Sequence, residues 1–271
     1  MRVSAGERAT NMITLYGQVA VITGGSRGIG AATVEIFARA GSHVVFSYHR
    51  ARKAAEEVAE KARRHGVEVI AVKADLSKVA AGKKLIDTAI KKFKRIDVLV
   101  ANAGIWNERD IPIEKLTEQQ WDEMLDTNLK SVYSVIRFAV PQMKKQTKRE
   151  KNCYPRIIAI SSTAGQRGEA FHTHYAASKG AVISMVKGLS TELAPSNILV
   201  NCVAPGWVAT DMSKKSLSDP KSKRWVLGAI PVGRVGTPEE LAGPILFLAS
   251  DLATFMTGEV VNVNGGAVLI G

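Results

Sequence analysis

The stretch QVAVITGGSRGIGAATVEIFARAG, residues 18–41, decides the fold. A short apolar run rich in valine leads into a glycine-rich turn, where Gly24, Gly28 and Gly30 precede a helical pattern. This order directs backbone N–H groups and the positive end of a helix dipole toward a diphosphate. The spacing is GxxxGxG rather than the GxGxxG dinucleotide fingerprint, so the turn alone is explained equally well as ordinary turn chemistry.

The same alternation continues to the C-terminus. Helical patterns separate most of six further short apolar runs, which are HVVFSYH, VEVIAVKAD, IDVLVANAG, RIIAISS, ILVNCVAPG and EVVNVNGG. Seven apolar strands alternating with helices predict an α/β protein with a doubly wound (Rossmann) parallel seven-stranded sheet and helices on both faces. Ligands of such a sheet bind at the carboxyl ends of its strands.

The chain is expected to form a single domain. We predict this domain over residues 17–271, behind a flexible N-terminal tail of residues 1–16. The polar and basic segment from Met143 to Pro155 is interpreted as a surface extension before the strand at Arg156. The sequence contains no internal repeat.

Composition narrows the classes of function. Of the 271 residues 46% are hydrophobic and 23% charged, which suits a globular protein with a full core. Cys153 and Cys202 lie in no metal-ligand spacing, so no metal is expected. With no signal peptide and no apolar run of ~18 residues, we expect a cytoplasmic protein that does not enter membranes. The net charge of +12 favours anionic partners, but no aromatic residues interleave the basic clusters, so specific nucleic-acid binding is not expected.

The end of the second strand indicates the cofactor. NAD-selective proteins of this fold place an acid there, on the ribose hydroxyls, and no Asp or Glu occurs from His43 to Ala55. Arg50 follows this strand and Arg27 lies in the glycine turn, so two guanidinium groups could reach a 2′-phosphate. The sequence therefore favours NADP(H), unless Arg50 only begins a solvated helix. Asp75, after the third strand, could accept from the adenine amino group or cap a helix.

Tyr175 and Lys179 lie four residues apart in a helical pattern, so both occupy one helix face. A neighbouring ammonium would lower the tyrosine pKa from its usual value near ~10. Ser162 ends the fifth strand at the edge where ligands bind, and its hydroxyl could bond a substrate oxygen beside the phenol. Asn102 ends the fourth strand at the same edge. Asn128 lies inside an apolar helical pattern, where an amide needs a partner.

From about Gly17 onward the chain resembles the short-chain dehydrogenase/reductase family. The matching pieces are TGGSRGIG, the pair Asp75-Leu76, ANAG at 101–104, Asn128, Ser162, YAASK at 175–179 and PGWVAT at 205–210. Ala101 stands where many members have Asn. The segments GRVGTPEELAGPILFLASD and MTGEVVNVNGG are similar to the 3-oxoacyl-carrier-protein reductase branch and its ketone, sugar and polyol reductase relatives.

The resemblance implies a role for each matched residue. Tyr175 would be the general acid in reduction, Lys179 would lower its pKa and hold the nicotinamide ribose, and Ser162 would orient the carbonyl. Asn128 would hold a water that links Lys179 to solvent. The implied cofactor contacts are Gly24, Ser26, Arg27, Gly28, Ile29, Gly30, Tyr48, His49, Arg50, Asp75, Leu76, Asn102, Ala103, Gly104, Tyr175, Lys179, Pro205, Gly206, Val208 and Thr210.

Several alternatives stay open at this stage. The substrate would be a carbonyl or alcohol, either a 3-oxoacyl group on an acidic carrier or a sugar or polyol, contacted by a lid at residues 211–230. His172 and His174 could face this substrate, but polar loop packing or a subunit contact is the favoured role for each. The alternative to an enzyme is a non-catalytic dinucleotide sensor, a binding module on the same fold. This alternative predicts loss of Tyr175, Lys179 or Ser162, and all three are present. The resemblance also implies a homo-oligomer, expected to be a tetramer.

Overall fold

Each apolar run forms one strand of a single parallel sheet in the computed structural model, which describes residues 13–150 and 153–270. The strands are β1 Val19–Ile22, β2 His43–Tyr48, β3 Val69–Lys73, β4 Val98–Ala101, β5 Arg156–Ile160, β6 Leu199–Pro205 and β7 Val260–Val263. Their order is β3-β2-β1-β4-β5-β6-β7. The strand order reverses direction between β1 and β4, and ligands of open α/β sheets bind at such a switch point.

Helices cover both faces of the sheet. They are α1 Gly28–Arg39, α2 Arg52–Arg63, α3 Val79–Phe93, α4 Glu118–Leu125, α5 Ser131–Thr147, α6 Thr163–Arg167, α7 Thr173–Leu193, α8 Lys214–Ser218, α9 Pro220–Gly228 and α10 Pro238–Ala249. α1, α2 and α10 share one buried core with the sheet, and α3, α5 and α7 share the other. The sequence prediction of a doubly wound α/β fold is therefore confirmed.

Local sequence explains where several helices begin. Thr117 and Gln120 form a reciprocal capping box at α4, and Thr237 and Glu240 form another at α10, where Pro238 occupies the first turn.

None of the helices among the described residues is both long enough and apolar enough to cross a membrane.

The N-terminal tail ends earlier than the sequence analysis placed it. Leu15 is fully buried in the core beneath α1, and its N–H donates to Ala40 O at 2.8 Å. The next residue, Tyr16, is exposed. A single buried leucine produces no hydrophobic period, which is why residues 13–16 read as tail. Residues 1–12 lie outside the described residues.

The basic segment after Met143 is also shorter than expected, because α5 continues to Thr147. Met143 is fully buried, and the Gln146 side chain bonds both the N–H and the C=O of Ile96, at 2.8 and 3.1 Å. The sequence did not indicate that Met143 and Gln146 are buried, because Lys144 and Lys145 lie between them. What connects α5 to β5 therefore begins at Lys148.

Candidate active site

The glycine turn, residues 23–30, is held by side chains from neighbouring strands. The Asn102 side chain donates to Thr23 O at 2.9 Å and to Gly24 O at 3.3 Å, and Thr23 Oγ1 accepts from the backbone N–H of Asn102 at 2.8 Å. Ser47 Oγ accepts from Gly24 N at 3.1 Å. The ends of β1, β2 and β4 are thus tied together at the switch point of the sheet.

Two glycines of this turn are required by close approach. A Cβ on Gly30 would lie 2.1 Å from Gly24 O, and one on Gly25 would lie 2.6 Å from the Phe46 ring. Gly24 has a φ of +69°, in the left-handed region that favours glycine. The backbone of the turn therefore comes close to the start of α1, as a diphosphate-binding cradle requires.

The N-terminus of α1 suits an anion. No side chain caps it, and its first turn holds no acidic residue. Thr210, from the loop after β6, approaches the same turn, because a Cβ on Gly28 would lie 3.2 Å from its Cγ2. The residues present therefore fit a dinucleotide diphosphate, with free N–H groups and the positive end of the dipole directed at it.

The guanidinium groups assigned to the 2′-phosphate are exposed but not equivalent. Arg27 Nη1 lies 3.5 Å from Asp211 Oδ2, so this arginine already has a carboxylate partner. Arg52 is paired with Glu56 at 2.6 Å. Arg50 forms no ion pair with any described residue, which leaves its charge available to a phosphate.

Asp75 follows β3 and lies beside the end of β2, since the N–H of the preceding Ala74 donates to Tyr48 O at 2.9 Å. The Ser77 side chain, which donates to Asp75 Oδ1 at 2.8 Å, lowers the pKa of this carboxyl, and the charge of His49 lowers it further. α3 begins later, at Val79, with Lys78 as its N-cap. The alternative reading of Asp75 as the cap of this helix is therefore wrong.

Several implied cofactor contacts have buried side chains. Leu76 and Val208 are 6% and 7% exposed, and Ile29 packs against the core beneath α1. Such residues would reach a cofactor through their backbone. Gly206 packs on Asn264, since a Cβ there would lie 2.9 Å from the Asn264 Cα, which brings the C-terminal segment close to the loop after β6.

Ser162, Tyr175 and Lys179 converge at the carboxyl end of β5. Ser162 Oγ caps α6 by accepting from Ala164 N at 3.1 Å, and the Ser162 side chain also forms a hydrogen bond with Tyr175. Lys179 is buried, and its Nζ donates to Ile160 O at 2.9 Å and lies 6.0 Å from the centre of the Tyr175 ring.

The two titratable groups of this site are shifted by burial. Burial raises the pKa of Tyr175 to about 12, while a hydrogen bond with the Ser162 side chain lowers it and the Glu169 carboxylate raises it. Burial lowers the pKa of Lys179 to about 8. The lowered tyrosine pKa expected from the sequence is therefore not found, and the phenol keeps its proton at neutral pH.

Asn128 lies in a π-helical turn, Asp126–Lys130, between α4 and α5. Its amide is fully buried and pairs with Ile105, accepting from the backbone N–H at 2.7 Å and donating to the C=O at 2.9 Å. A Cβ on Gly104 would lie 3.2 Å from both Asn128 Oδ1 and Lys179 Nζ, so the amide and the ammonium are separated by one glycine. π-Helical turns are frequent at functional sites.

Aromatic and acidic side chains from the loops after β4, α6 and β6 come together at the carboxyl edge of the sheet. Trp106 stacks on His172 with ring centres 5.0 Å apart and meets Trp207 edge to face at 5.8 Å. We call Trp106, His172 and Trp207 the aromatic cluster. Trp106 Nε1 donates to Glu169 Oε1 at 3.3 Å. Burial raises the pKa of Glu169, whereas the charge of His172 lowers it.

The two histidines before Tyr175 are buried. His172 Nδ1 lies 3.6 Å from Glu169 Oε1 and 3.9 Å from Asp110 Oδ1, and burial lowers the pKa of His174. His172 therefore packs among polar and aromatic side chains of its own loop and of the loop after β4, in agreement with the loop packing that was expected. In residues 13–150 and 153–270, no three His, Cys, Asp or Glu side chains come together where they could hold a metal ion.

Sequence reasoning missed the residues that support the site. Ser213 is buried, donates to Val208 O and accepts from Thr210 N at 3.2 Å, so it shapes the loop that carries Thr210. Thr23 and Ser47 support the glycine turn in the same way. Only the position of Thr23 and Ser47 at strand ends could have indicated them.

The chain is similar to known reductases over nearly its whole length. A family model described as enoyl-(acyl carrier protein) reductase matches residues 24–268. A 3-oxoacyl-[acyl-carrier-protein] reductase of Synechocystis sp. is 40% identical, with 95% of this chain and all of the relative covered.

Solved structures of reductases and dehydrogenases are also similar to this chain over nearly its whole length. The 3-ketoacyl-(acyl-carrier-protein) reductase of Brucella melitensis, complexed with NADH, has a TM-score of 0.85 at 32% identity, covering 94% of this chain and 99% of the other. A protein of Beutenbergia cavernae described as an NAD(P) dependent gluconate 5-dehydrogenase, with bound NADP at low occupancy, has a TM-score of 0.86 at 34% identity, covering 94% and 98%.

Proposed function

The chain belongs to the short-chain dehydrogenase/reductase family of oxidoreductases, and we propose that it is an NADP(H)-dependent ketoreductase acting on a ketone or the corresponding secondary alcohol. The observation that carries the proposal is the convergence of Ser162, Tyr175 and Lys179 beside the glycine turn. The candidate substrates are a 3-oxoacyl group, as in the name of the Synechocystis relative, and a sugar or polyol, as in the name of the Beutenbergia protein.

The nicotinamide, when bound, would supply or accept the hydride. Tyr175 donates a proton to the carbonyl oxygen in reduction, for which a phenol that stays protonated at neutral pH is suited. Ser162 donates a hydrogen bond to the same oxygen, because its own oxygen already accepts from Ala164 N. These two contacts hold the carbonyl in one orientation at the edge of the sheet.

Lys179 and Asn128 act behind the phenol. The Lys179 ammonium would hold the nicotinamide ribose, and its pKa of about 8 lets it exchange a proton near neutrality. Asn128 would hold a water that passes a proton from Lys179 to solvent, and the single glycine between their side chains supports this role.

NADP(H) is proposed over NAD(H) because of the charges after β2. Arg50 is exposed and forms no ion pair with the described residues, and no acid occupies the end of this strand. Gly24, Gly28 and Gly30 would hold the diphosphate, and Thr210 would contact the nicotinamide end.

Kinetics with both cofactors test this proposal. We expect higher kcat/KM with NADPH than with NADH, and Arg50→Asp should lower kcat/KM for NADPH about 10- to 100-fold, since a charged hydrogen bond contributes about 1.5–3 kcal/mol. Arg39→Asp is the charge-matched control, because Arg39 is also exposed but lies in the last turn of α1, at the opposite end of this helix from the glycine turn. Equal efficiency with NADH, or an equal response of the two variants, would contradict the NADP(H) assignment.

The proposal also covers the extent of the domain, the location of the protein and its oligomeric state. We propose one domain, which begins before residue 17 because Leu15 belongs to its core, together with a cytoplasmic location and a homotetramer. Phe255 and Leu269, which flank the edge strand β7 in the sequence, are exposed, and an oligomer that covers this edge would bury them.

A further inference from the structure

Glu169 is the one carboxylate bound to the aromatic cluster by a direct hydrogen bond among the described residues. Its Oε1 accepts from Trp106 Nε1 at 3.3 Å and lies 3.6 Å from His172 Nδ1. Oε2 has no hydrogen-bond partner among the described residues, and the side chain is 18% exposed. One oxygen is therefore fixed while the other remains available as an acceptor.

The position of this carboxylate links it to the reacting groups. It lies between Ser162 and Tyr175 in the chain, and its charge is close enough to the phenol to raise the pKa of Tyr175. The loop that carries it is joined to the loop after β4, since Ile111 N donates to Phe171 O at 3.1 Å. Glu169 therefore lies, together with the loop after β4, at the carboxyl edge of the sheet, where ligands of such a sheet bind.

The aromatic cluster adds an apolar surface at the same edge of the sheet. Trp106 follows the Gly104 that packs against Lys179, and Trp207 follows Gly206 in the loop after β6. Both indoles are only half-buried. Aromatic faces with a few fixed polar groups are typical of small-ligand sites, because the rings pack on C–H groups while the polar atoms set orientation.

We infer that Glu169 is a specificity-determining residue that accepts a hydrogen bond from a substrate hydroxyl, and that the substrate is an uncharged hydroxylated ketone. This inference rests on the proposed ketoreductase function. An acyl chain against Glu169 Oε2 would bury a carboxylate oxygen without a partner, which is unfavourable. A site built to bond a hydroxyl rejects the analogue that lacks it more strongly than an apolar pocket rejects an added hydroxyl.

Matched ketones test the inference. Hydroxyacetone and butanone differ by one hydroxyl in place of a methyl group, as do acetoin and methyl isopropyl ketone. The N-acetylcysteamine thioester of acetoacetate represents the 3-oxoacyl class. We expect the wild-type protein to reduce the hydroxylated member of each pair with the higher kcat/KM, and the thioester less efficiently than either hydroxylated ketone.

Glu169→Gln should reduce the preference for the hydroxylated member about 10- to 100-fold, because it removes a charged acceptor of nearly the same shape. The loss should appear mainly in KM, as expected for a contact that does not change in the transition state. Asp110→Asn is the matched control, since Asp110, in the loop after β4, also lies within 4 Å of His172 Nδ1 but is exposed, and it should leave the preference unchanged.

Trp106→Phe keeps an aromatic ring and removes the donor that holds Glu169, so it should lose part of the same preference even if Glu169→Gln is unstable. Equal loss on both members of a pair, or wild-type preference for the plain ketone or the thioester, would overturn the inference and leave the ketoreductase proposal standing. Absence of wild-type turnover on every carbonyl compound with either cofactor would overturn both.

Discussion

The glycine turn and the aromatic cluster are the proposed cofactor end and substrate end of the site, and they are held by different kinds of contact. In the turn, backbone atoms meet at distances that leave no room for a side chain, as at Gly30. In the cluster, side chains from three loops meet through ring stacking, edge contacts and the hydrogen bond from Trp106 to Glu169. The comparison indicates that the cofactor end tolerates little change, whereas the substrate end can be altered one contact at a time.

The largest effect is expected at the residue that lies between the two ends. Tyr175→Phe removes the proton donor without opening a cavity, so turnover should fall by at least ~100-fold, the lower limit for a general acid. NADPH affinity, measured by calorimetry, should change little. Tyr133→Phe, which removes the hydroxyl of a partly exposed tyrosine on α5, is the control. Retention of more than about a tenth of the wild-type rate would remove Tyr175 from the role of proton donor.

Comparison of Tyr175→Phe with Lys179→Ala separates the chemical step from cofactor binding. Lys179→Ala removes a group proposed to contact the ribose, so NADPH affinity should fall together with turnover. If turnover fell in Lys179→Ala while NADPH affinity stayed unchanged, Lys179 would act only in proton transfer.

An intermediate effect is expected in the glycine turn. Gly30→Ala places a Cβ against Gly24 O, and overpacking of this kind lowers the free energy of unfolding by about 1–3 kcal/mol. NADPH affinity should fall as well, because relief of the contact moves the backbone that cradles the diphosphate. Gly188→Ala is the matched control: no atom lies within 4 Å of its Cβ position in α7, and it should be neutral or stabilising by about 0.4–1 kcal/mol. Similar results for both variants would show that the turn is more adaptable than its distances indicate.

The smallest effect is expected at the rim of the substrate end. Lys215 Nζ lies 3.7 Å from Glu108 Oε2 and joins α8 to the loop after β4. The Lys215 side chain is largely exposed, so Glu108→Gln should change the free energy of unfolding by less than about 1 kcal/mol. Thermal unfolding at low and high salt measures it. A loss comparable to that of Gly30→Ala would mean that the substrate end is as rigid as the glycine turn.

The fold was predictable because hydrophobic periodicity and glycine position are local signals. Each of the seven apolar runs became a strand, since a strand buried on both faces needs a continuous apolar run. The boundaries were less predictable where one or two buried residues stand among polar neighbours. Leu15 and Gln146 are such residues, and their burial depends on Ala40 and Ile96, which lie far away in the chain.

The sequence by itself determined the doubly wound sheet, the glycine turn and the family of the chain, because strand ends, glycine spacing and the Tyr175 to Lys179 interval are all set along the chain. Only the tertiary structure decided the electrostatics, raising the pKa of Tyr175 and lowering that of Lys179. It alone also brought Glu169 to Trp106 and Asp211 to Arg27. Burial and contacts between distant loops are properties of packing in three dimensions, and no interval along the chain records them.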